Sequence, residues 1–247
     1  MVDVIVLIKQ MPDLEQVKPD PSTGEPQLKN VPLKLENLSE NSVEEAVRLK
    51  EKYGGKVTAL IFGNEQSGAI MKKAYAMGVD EGFVITGSRD SDPTLTAQVL
   101  AEKIKTLKHD VIMLGNQSAD SISGLLASKL SSLLGIPLLG NANSVEVEGN
   151  TVRVKRVLEE NNLVIQADFP VILSVTQEIN EPRLPPVMQI MAAGRKPINT
   201  EKTTVEAPPA AKILSNTTPK SERRKIIIEN IDEGIAEVAK VIREESR

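Results

Sequence analysis

Four short aliphatic runs, separated by stretches of helical periodicity, constrain this chain more than any other feature. Val4–Ile8, Val57–Ile61, Phe83–Thr86 and Val111–Leu114 are apolar almost throughout, as strands covered on both faces are. Between the first two, Val43, Ala46, Val47 and Leu49 recur at helical spacing. Ser39 stands ahead of them where an N-cap belongs, and Gly54-Gly55 ends the stretch. Gly63 leads into a second helix carrying Ile70, Met71, Ala74, Tyr75 and Met77, closed by Gly78. Asp92 caps a third helix with Pro93 in its first position, and Leu95, Val99, Leu100 and Ile104 form its buried face. After Gly115 a loop leads into a fourth helix, predicted from Asp120 to Leu134. Strands alternating with helices imply an α/β fold, a mostly parallel doubly wound sheet with right-handed crossovers. Ligands of such sheets lie beyond the carboxyl ends of the strands. Here those ends are the loops after Ile8, Ile61, Thr86 and Leu114.

Beyond Pro137 the pattern changes. Ser144–Val147 and Val152–Lys155 alternate around Glu148-Gly149-Asn150 and predict an antiparallel hairpin, after which Val171–Val175 returns to a buried strand. From Lys196 to Pro219 the chain is rich in Pro, Thr, Ala and Lys, the composition of a connector or extended arm. Ile226 to Ile242 is amphipathic, with Ile231, Ile235, Val238, Val241 and Ile242 on one stripe. That stripe is buried on its own domain or on a partner subunit, and pattern alone does not choose. The expected organisation is an α/β domain over 1–195 followed by an arm and terminal helix over 196–247.

Composition removes several function classes. A net charge of −4 and a pI near 5.3 give no nucleic-acid surface, and Arg223-Arg224-Lys225 is short enough to be a solvated helix face. There is no cysteine, hence no disulfide, thiolate metal site or iron–sulfur ligation. No apolar run approaches the ~20 residues of a membrane span, and the N-terminus lacks a basic segment before an apolar stretch. The expectation is a cytoplasmic chain without membrane insertion. A single histidine, His109, excludes sites needing two, and it sits in a turn between helix and strand. Aromatic residues at 2% leave little for base stacking. Glu159-Glu160 reads as a solvated turn, and no nucleophile–base pair or metal set is evident. What remains is binding chemistry without a catalytic constellation.

Three segments carry polar residues in unusual density. Gly115-Asn116-Gln117-Ser118-Ala119-Asp120-Ser121-Ile122-Ser123-Gly124 follows a strand and enters a helix. Free backbone amides at a helix N-terminus, with the hydroxyls of Ser118, Ser121 and Ser123, make an anion site. The competing reading is an ordinary turn capped by Ser118 or Asp120. Neither G-x-x-x-x-G-K-[ST] nor G-x-G-x-x-G is present. Glu36-Asn37-Leu38-Ser39 lies on the same side of the sheet, as a cap or as a contact to adenosine. Asn180-Glu181-Pro182-Arg183-Leu184-Pro185-Pro186 places three prolines before Val187, Met188, Ile190 and Met191. It is either a stiffened docking loop for a transient partner or a short helix packed on the domain.

Together these segments resemble the β subunit of electron-transfer flavoproteins over almost the whole chain. The resemblance is carried by Val43–Lys52, Ala74-Tyr75-Ala76-Met77-Gly78-Val79-Asp80, Leu114–Asp120, Ile179-Asn180-Glu181-Pro182-Arg183 and Ile190-Met191-Ala192-Ala193, with Lys9-Gln10-Met11-Pro12-Asp13 similar to the family's first loop. It implies a fold of the adenine-nucleotide α-hydrolase-like type and a heterodimer with an α subunit that holds most of a shared redox FAD. On the β chain it implies a bound AMP or, in the electron-bifurcating branch, a second FAD. The implied nucleotide contacts are Leu7, Lys9, Glu36, Asn37, Leu38, Ser39, Phe62 and Gly115 through Leu126, including Ala119, Ile122 and Leu125. The segment Pro185, Pro186, Val187, Met188 resembles the loop that docks acyl-CoA or other flavin dehydrogenases, as in fatty acid oxidation, with a quinone reductase as electron acceptor. The terminal helix resembles the arm laid on the α subunit. Glu36-Asn37 replaces the family's Asn-Pro, and the flavin-side aromatic of some members is replaced around Leu14. Leu125 stands where the bifurcating branch has glutamine, and it offers no amide. AMP is therefore the expected nucleotide. A stand-alone adenine-nucleotide module is the alternative of a different class, and it explains neither the Asn-Glu-Pro-Arg segment nor the arm.

Overall fold

Each of the four aliphatic runs becomes a strand whose alternate residues enter two different cores. The structure, a computed structural model, describes residues 1–87, 92–158, 161–205, 208, 210–211, 213–218 and 227–245. The Arg223-Arg224-Lys225 cluster, the Glu159-Glu160 pair and Ile226 lie outside the described residues. The chain divides into two units, residues 1–18 with 27–215, and residues 19–26 with 216–247.

The larger unit is built on a nine-stranded sheet. Its strands in chain order are β1 (Val4–Leu7), β2 (Val57–Gly63), β3 (Glu81–Thr86), β4 (Val111–Gly115), β5 (Leu138–Glu148), β6 (Thr151–Val157), β7 (Asn162–Asp168), β8 (Val171–Val175) and β9 (Asn199–Lys202). Their spatial order is β7-β6-β5-β8-β4-β1-β2-β3-β9. From β5 to β9 neighbouring strands run parallel, with Val4 opposite both Val57 and Val111, while β5-β6-β7 is an antiparallel meander. The helices are α1 (Asn37–Tyr53), α2 (Ser67–Met77), α3 (Pro93–Ile104), α4 (Leu126–Leu134) and α5 (Val187–Arg195).

Period-two alternation explains why the sheet is covered on both sides. Val4, Val6, Ala59, Val111, Met113 and Leu173 face the core that includes Val43, Ala46, Val47, Met71 and Ala74 of α1 and α2. Ile5, Leu7, Leu60, Ile112, Leu114 and Ile172 face the core that includes Leu95, Val99, Leu100, Ala127 and Leu130 of α3 and α4. Both faces are dry, so each run reads as continuous hydrophobicity.

Several boundaries differ from expectation. The cap of α1 is Glu36, whose Oε2 accepts from the Ser39 amide at 2.8 Å; Ser39 lies inside the first turn. A carboxylate at this position also complements the helix dipole. Helix α4 begins at Leu126, six residues after Asp120, because the Ser118 carbonyl accepts from the amides of both Ser121 and Ile122 and closes a separate turn. Left-handed φ angles of 48° at Ile122 and 60° at Gly124 complete the detour. The Asp92 cap is as expected: Oδ1 accepts from the amides of Thr94 at 3.0 Å and Leu95 at 2.9 Å. The hairpin turns at Gly149, with φ 63°, and continues into β7, which pattern did not reveal because Leu163 and Val164 are exposed. β9 lies inside the stretch read as a connector; its residues are exposed, and main-chain pairing to β3 makes it a strand.

In the smaller unit the Thr218 amide donates to the Gly24 carbonyl at 2.8 Å. Its helix α6 (Ile231–Glu245) starts later than Ile226 because Asn230 Oδ1 caps it, accepting from the Asp232 amide at 2.9 Å. Ile231, Ile235 and Val238 of its stripe are exposed.

Candidate nucleotide and docking sites

The parallel register brings the carboxyl ends of β1 and β4 side by side, and the loops that follow them converge. Lys9, just beyond β1, is the hub. Its ammonium donates to Ser118 Oγ at 3.0 Å and to Asp120 Oδ1 at 2.6 Å, while its backbone amide donates to Ser39 Oγ at 3.1 Å. The Lys9 carbonyl accepts from the Glu36 amide at 3.0 Å. Buried Glu36 accepts both the Ser39 hydroxyl, at 3.1 Å, and its amide. Residues from three separate segments, 36–39, 9 and 118–120, thereby form one hydrogen-bonded cluster.

Close packing fixes the distance between α1 and the loop after β4. A Cβ on Gly115 would stand 2.6 Å from Leu38 Cβ and 3.2 Å from the Gln117 carbonyl oxygen. Glycine allows this approach. Asn116 donates its amide to the Val175 carbonyl at 2.9 Å, which pins the loop to β8. Within the turn, the Ser118 hydroxyl donates to Asp120 Oδ1 at 2.7 Å and lies 3.0 Å from Ser121 Oγ. Burial pushes the Asp120 carboxyl up, but the Lys9 ammonium and the Ser118 hydroxyl outweigh it and hold the group below its usual range.

Helix α4 opens without a side-chain cap: its cap residue is Leu125, and neither Ser118 nor Asp120 reaches its amides. The turn of the ordinary-turn reading is present, closed by the Ser118 carbonyl, but neither residue caps α4, because the detour at 118–124 comes between them and the helix. A helix N-terminus without a side-chain cap, preceded by a loop that carries serine hydroxyls and the Lys9 ammonium, offers donors of the kind that hold a phosphate. Ser123 and Leu125 are exposed beside it, and Ala119 and Asn37 are also exposed. Leu7 is buried, and Phe62 and Leu126 pack against the cluster containing Leu7 and Leu114, so the apolar members line the core side of this edge. Asn116 Nδ2 reaches Asn141 Oδ1 at 3.4 Å, a partner the sequence did not suggest.

Two further groups went unnoticed in the sequence. Ser67 Oγ accepts from the Asn64 amide at 3.1 Å and donates to Gln10 Oε1 at 2.8 Å, while Gln10 Nε2 is buried without a partner among the described residues. Only the fold places Gln10 next to Ser67. The second group joins the Asn-Glu-Pro-Arg segment to α1. Asn41 Nδ2 donates to the Asn180 carbonyl at 2.8 Å, and Asn180 Nδ2 returns a bond to the Asn41 carbonyl at 3.0 Å and reaches Glu45 Oε2 at 3.1 Å. Arg183 Nε and Nη2 engage Glu44 at 2.8 and 3.2 Å, and Nη1 and Nη2 engage Glu51 at 2.6 and 3.0 Å. Burial pushes the Glu44 carboxyl up, yet Arg183 and Arg48 together hold it below the usual range. Its neighbour Glu45 has no cation hydrogen-bonded to it among the described residues, and burial outweighs the Asn180 amide and the charges of Arg48 and Lys52 and pushes it up.

The docking candidates follow this clamp. Pro186 is the N-cap of α5, whose Ala193 is buried, while Leu184 is 94% exposed, Val187 71% and Met188 77%. The segment is a short helix packed on the domain, as one reading held. It also leaves its Val and Met side chains in solvent, as the other required. Among the described residues no helix is long and apolar enough to cross a membrane.

Comparison with known proteins agrees with the resemblance. The model of the electron transfer flavoprotein domain matches residues 29–206. A protein of Thermoanaerobacterium thermosaccharolyticum named electron transfer flavoprotein subunit beta is 30% identical over 94% of this chain and 95% of its own length. The Bacillus subtilis protein of the same name is 30% identical over 99% of each chain, and that of Clostridium acetobutylicum 32% identical over 79% and 76%. The chain belongs to the electron transfer flavoprotein β-subunit family.

Proposed function

We propose that this chain pairs with a flavin-carrying α subunit, binds AMP at the 115–126 segment, and conveys electrons from flavin dehydrogenases to a quinone reductase or another acceptor. The observation that carries the nucleotide reading is the cluster of Lys9, Ser118 and Ser121 beyond the carboxyl ends of β1 and β4, in the segment that leads to the uncapped N-terminus of α4. The α4 amides and serine hydroxyls are donors for phosphate oxygens, and the Lys9 ammonium balances the anion's charge. Asp120 keeps that ammonium in place. Glu36 and Ser39 hold the loop after β1 against α1, and Gly115 lets α1 approach, so the cradle is preorganised. Leu7 and Phe62 supply an apolar wall for an adenine ring, consistent with an adenine-nucleotide α-hydrolase-like sheet.

A flavin bound in the complex supplies one- and two-electron redox chemistry. The chain's own part is binding and positioning: it completes the flavin surroundings and presents the α5 segment to dehydrogenases. AMP rather than a second FAD is supported by Leu125, an exposed aliphatic residue with no hydrogen-bonding group where the bifurcating pattern has an amide.

Co-expression with the α subunit tests the reading. A yellow complex is expected, and heat release followed by chromatography should yield AMP beside a single FAD. Two FAD would establish the bifurcating alternative. A chain that fails to associate and by itself hydrolyses ATP would overturn the assignment.

A further inference from the structure

The exposed apolar side chains of α5 sit on a segment held at both ends. Before it, Arg183 spans two carboxylates on one face of α1, about two turns apart, and its own amide donates to Glu44 Oε2 at 3.1 Å. Glu44 is 2% exposed, so its charge is compensated by protein groups rather than by water. The Asn41–Asn180 exchange fixes the backbone three residues earlier. After the helix, Lys196 Nζ donates to the Val79 carbonyl at 3.0 Å and lies 5.1 Å from the Tyr75 ring, and the Tyr75 hydroxyl donates to the Pro197 carbonyl at 2.9 Å. Between these ties α5 packs against α2 with Ala193 buried, and Leu184, Val187, Met188, Ile190 and Met191 remain exposed. An exposed apolar cluster on a pinned scaffold has the form of a preorganised binding surface.

We propose that Arg183 is the positioning residue of this docking surface: its two-carboxylate clamp onto Glu44 and Glu51 fixes the apolar face of α5 for an electron-donating protein with an apolar recess. The inference rests on the reading that α5 meets such a partner. Lysine in this position retains the charge but not the planar fork that meets two carboxylates at once. Arg183→Lys therefore lets Leu184–Met191 move, and the partner must order the segment on binding. The hydrogen bonds of Arg183 go to Glu44 and Glu51 and to none of the residues of the nucleotide cradle, so a positioning role predicts weaker encounter without a change in the chemistry.

The test uses the complete complex and, as probe, the flavin dehydrogenase from the same cells purified by its ability to reduce that complex. For Arg183→Lys the KM for the complex should rise by roughly 5- to 10-fold, the range expected when a few side chains must be ordered on binding. The kcat, flavin absorbance and bound nucleotide should stay unchanged, and amide exchange at 187–191 should accelerate. Glu51→Gln, which removes one arm and leaves Glu44 paired, should give a smaller rise in KM. Val187→Asp, tested in parallel, reports on the docking surface itself. If Val187→Asp raises KM and Arg183→Lys does not, the clamp inference is overturned while the docking reading stands. If Val187→Asp has no effect, the docking reading falls and the inference with it. A fall in kcat together with lost flavin or nucleotide would reduce Arg183 to general structural support, which also overturns it.

Discussion

Gly115→Ala probes the junction between α1 and the loop after β4. The added Cβ would meet Leu38 Cβ at 2.6 Å and the Leu38 carbonyl carbon at 3.4 Å. Neither neighbour is the free end of a flexible side chain, so no rotamer change relieves the contact, and α1 or the 115–118 loop must move. Overpacking of this kind costs about 1–3 kcal/mol. At roughly 2–4 °C per kcal/mol for a chain of this size, that corresponds to a fall in Tm of about 2–12 °C. The same displacement separates Ser39 from Lys9, and Lys9 from Ser118 and Asp120, so retained nucleotide should fall alongside. Gly194→Ala is the control: nothing lies within 4 Å of its Cβ, and the change should leave nucleotide content untouched while stabilising α5 slightly. Scanning calorimetry of the purified complex, with chromatography of heat-released nucleotide, measures both quantities. A Gly115→Ala complex with unaltered Tm and full nucleotide would refute the argument that this close approach builds the cradle.

Two adjacent glutamates on α1 should respond in opposite ways. Burial raises the Glu45 carboxyl, so its protonated form is favoured in the folded state; that stability is present at low pH and is lost as pH rises through the raised value. Glu45→Gln should therefore raise Tm at neutral pH, with the gain shrinking as pH falls through the raised value toward the ordinary glutamate range, whereas Glu44→Gln should lower Tm at neutral pH because it leaves Arg183 and Arg48 underpaired. Thermal melts across pH decide this. In α4, Leu130 is fully buried against the second face of the sheet, and Leu130→Ala should cost about 2–5 kcal/mol in urea unfolding with little change in the m-value.

The sequence by itself determined the parallel core. Aliphatic runs buried on both faces have no other stable placement, so β1 to β4 and β8 were legible, as were the Asp92 cap, the Gly78 stop and the turn at Gly149. These are local rules of backbone geometry and burial. Long-range pairing was not legible. Strands β7 and β9 bury almost no side chains of their own, and only the ladders formed with β6 and β3 define them. The same reason hid the site's wiring. Lys9 and Asp120 are 111 residues apart, and Asn41 and Asn180 are 139 apart; no periodicity connects them until strand order brings their loops together. Residue types thus marked the segments proposed for phosphate and partner, while tertiary packing decided which side chains meet there, because a hydrogen bond depends on positions in space and a sequence pattern records only positions along the chain.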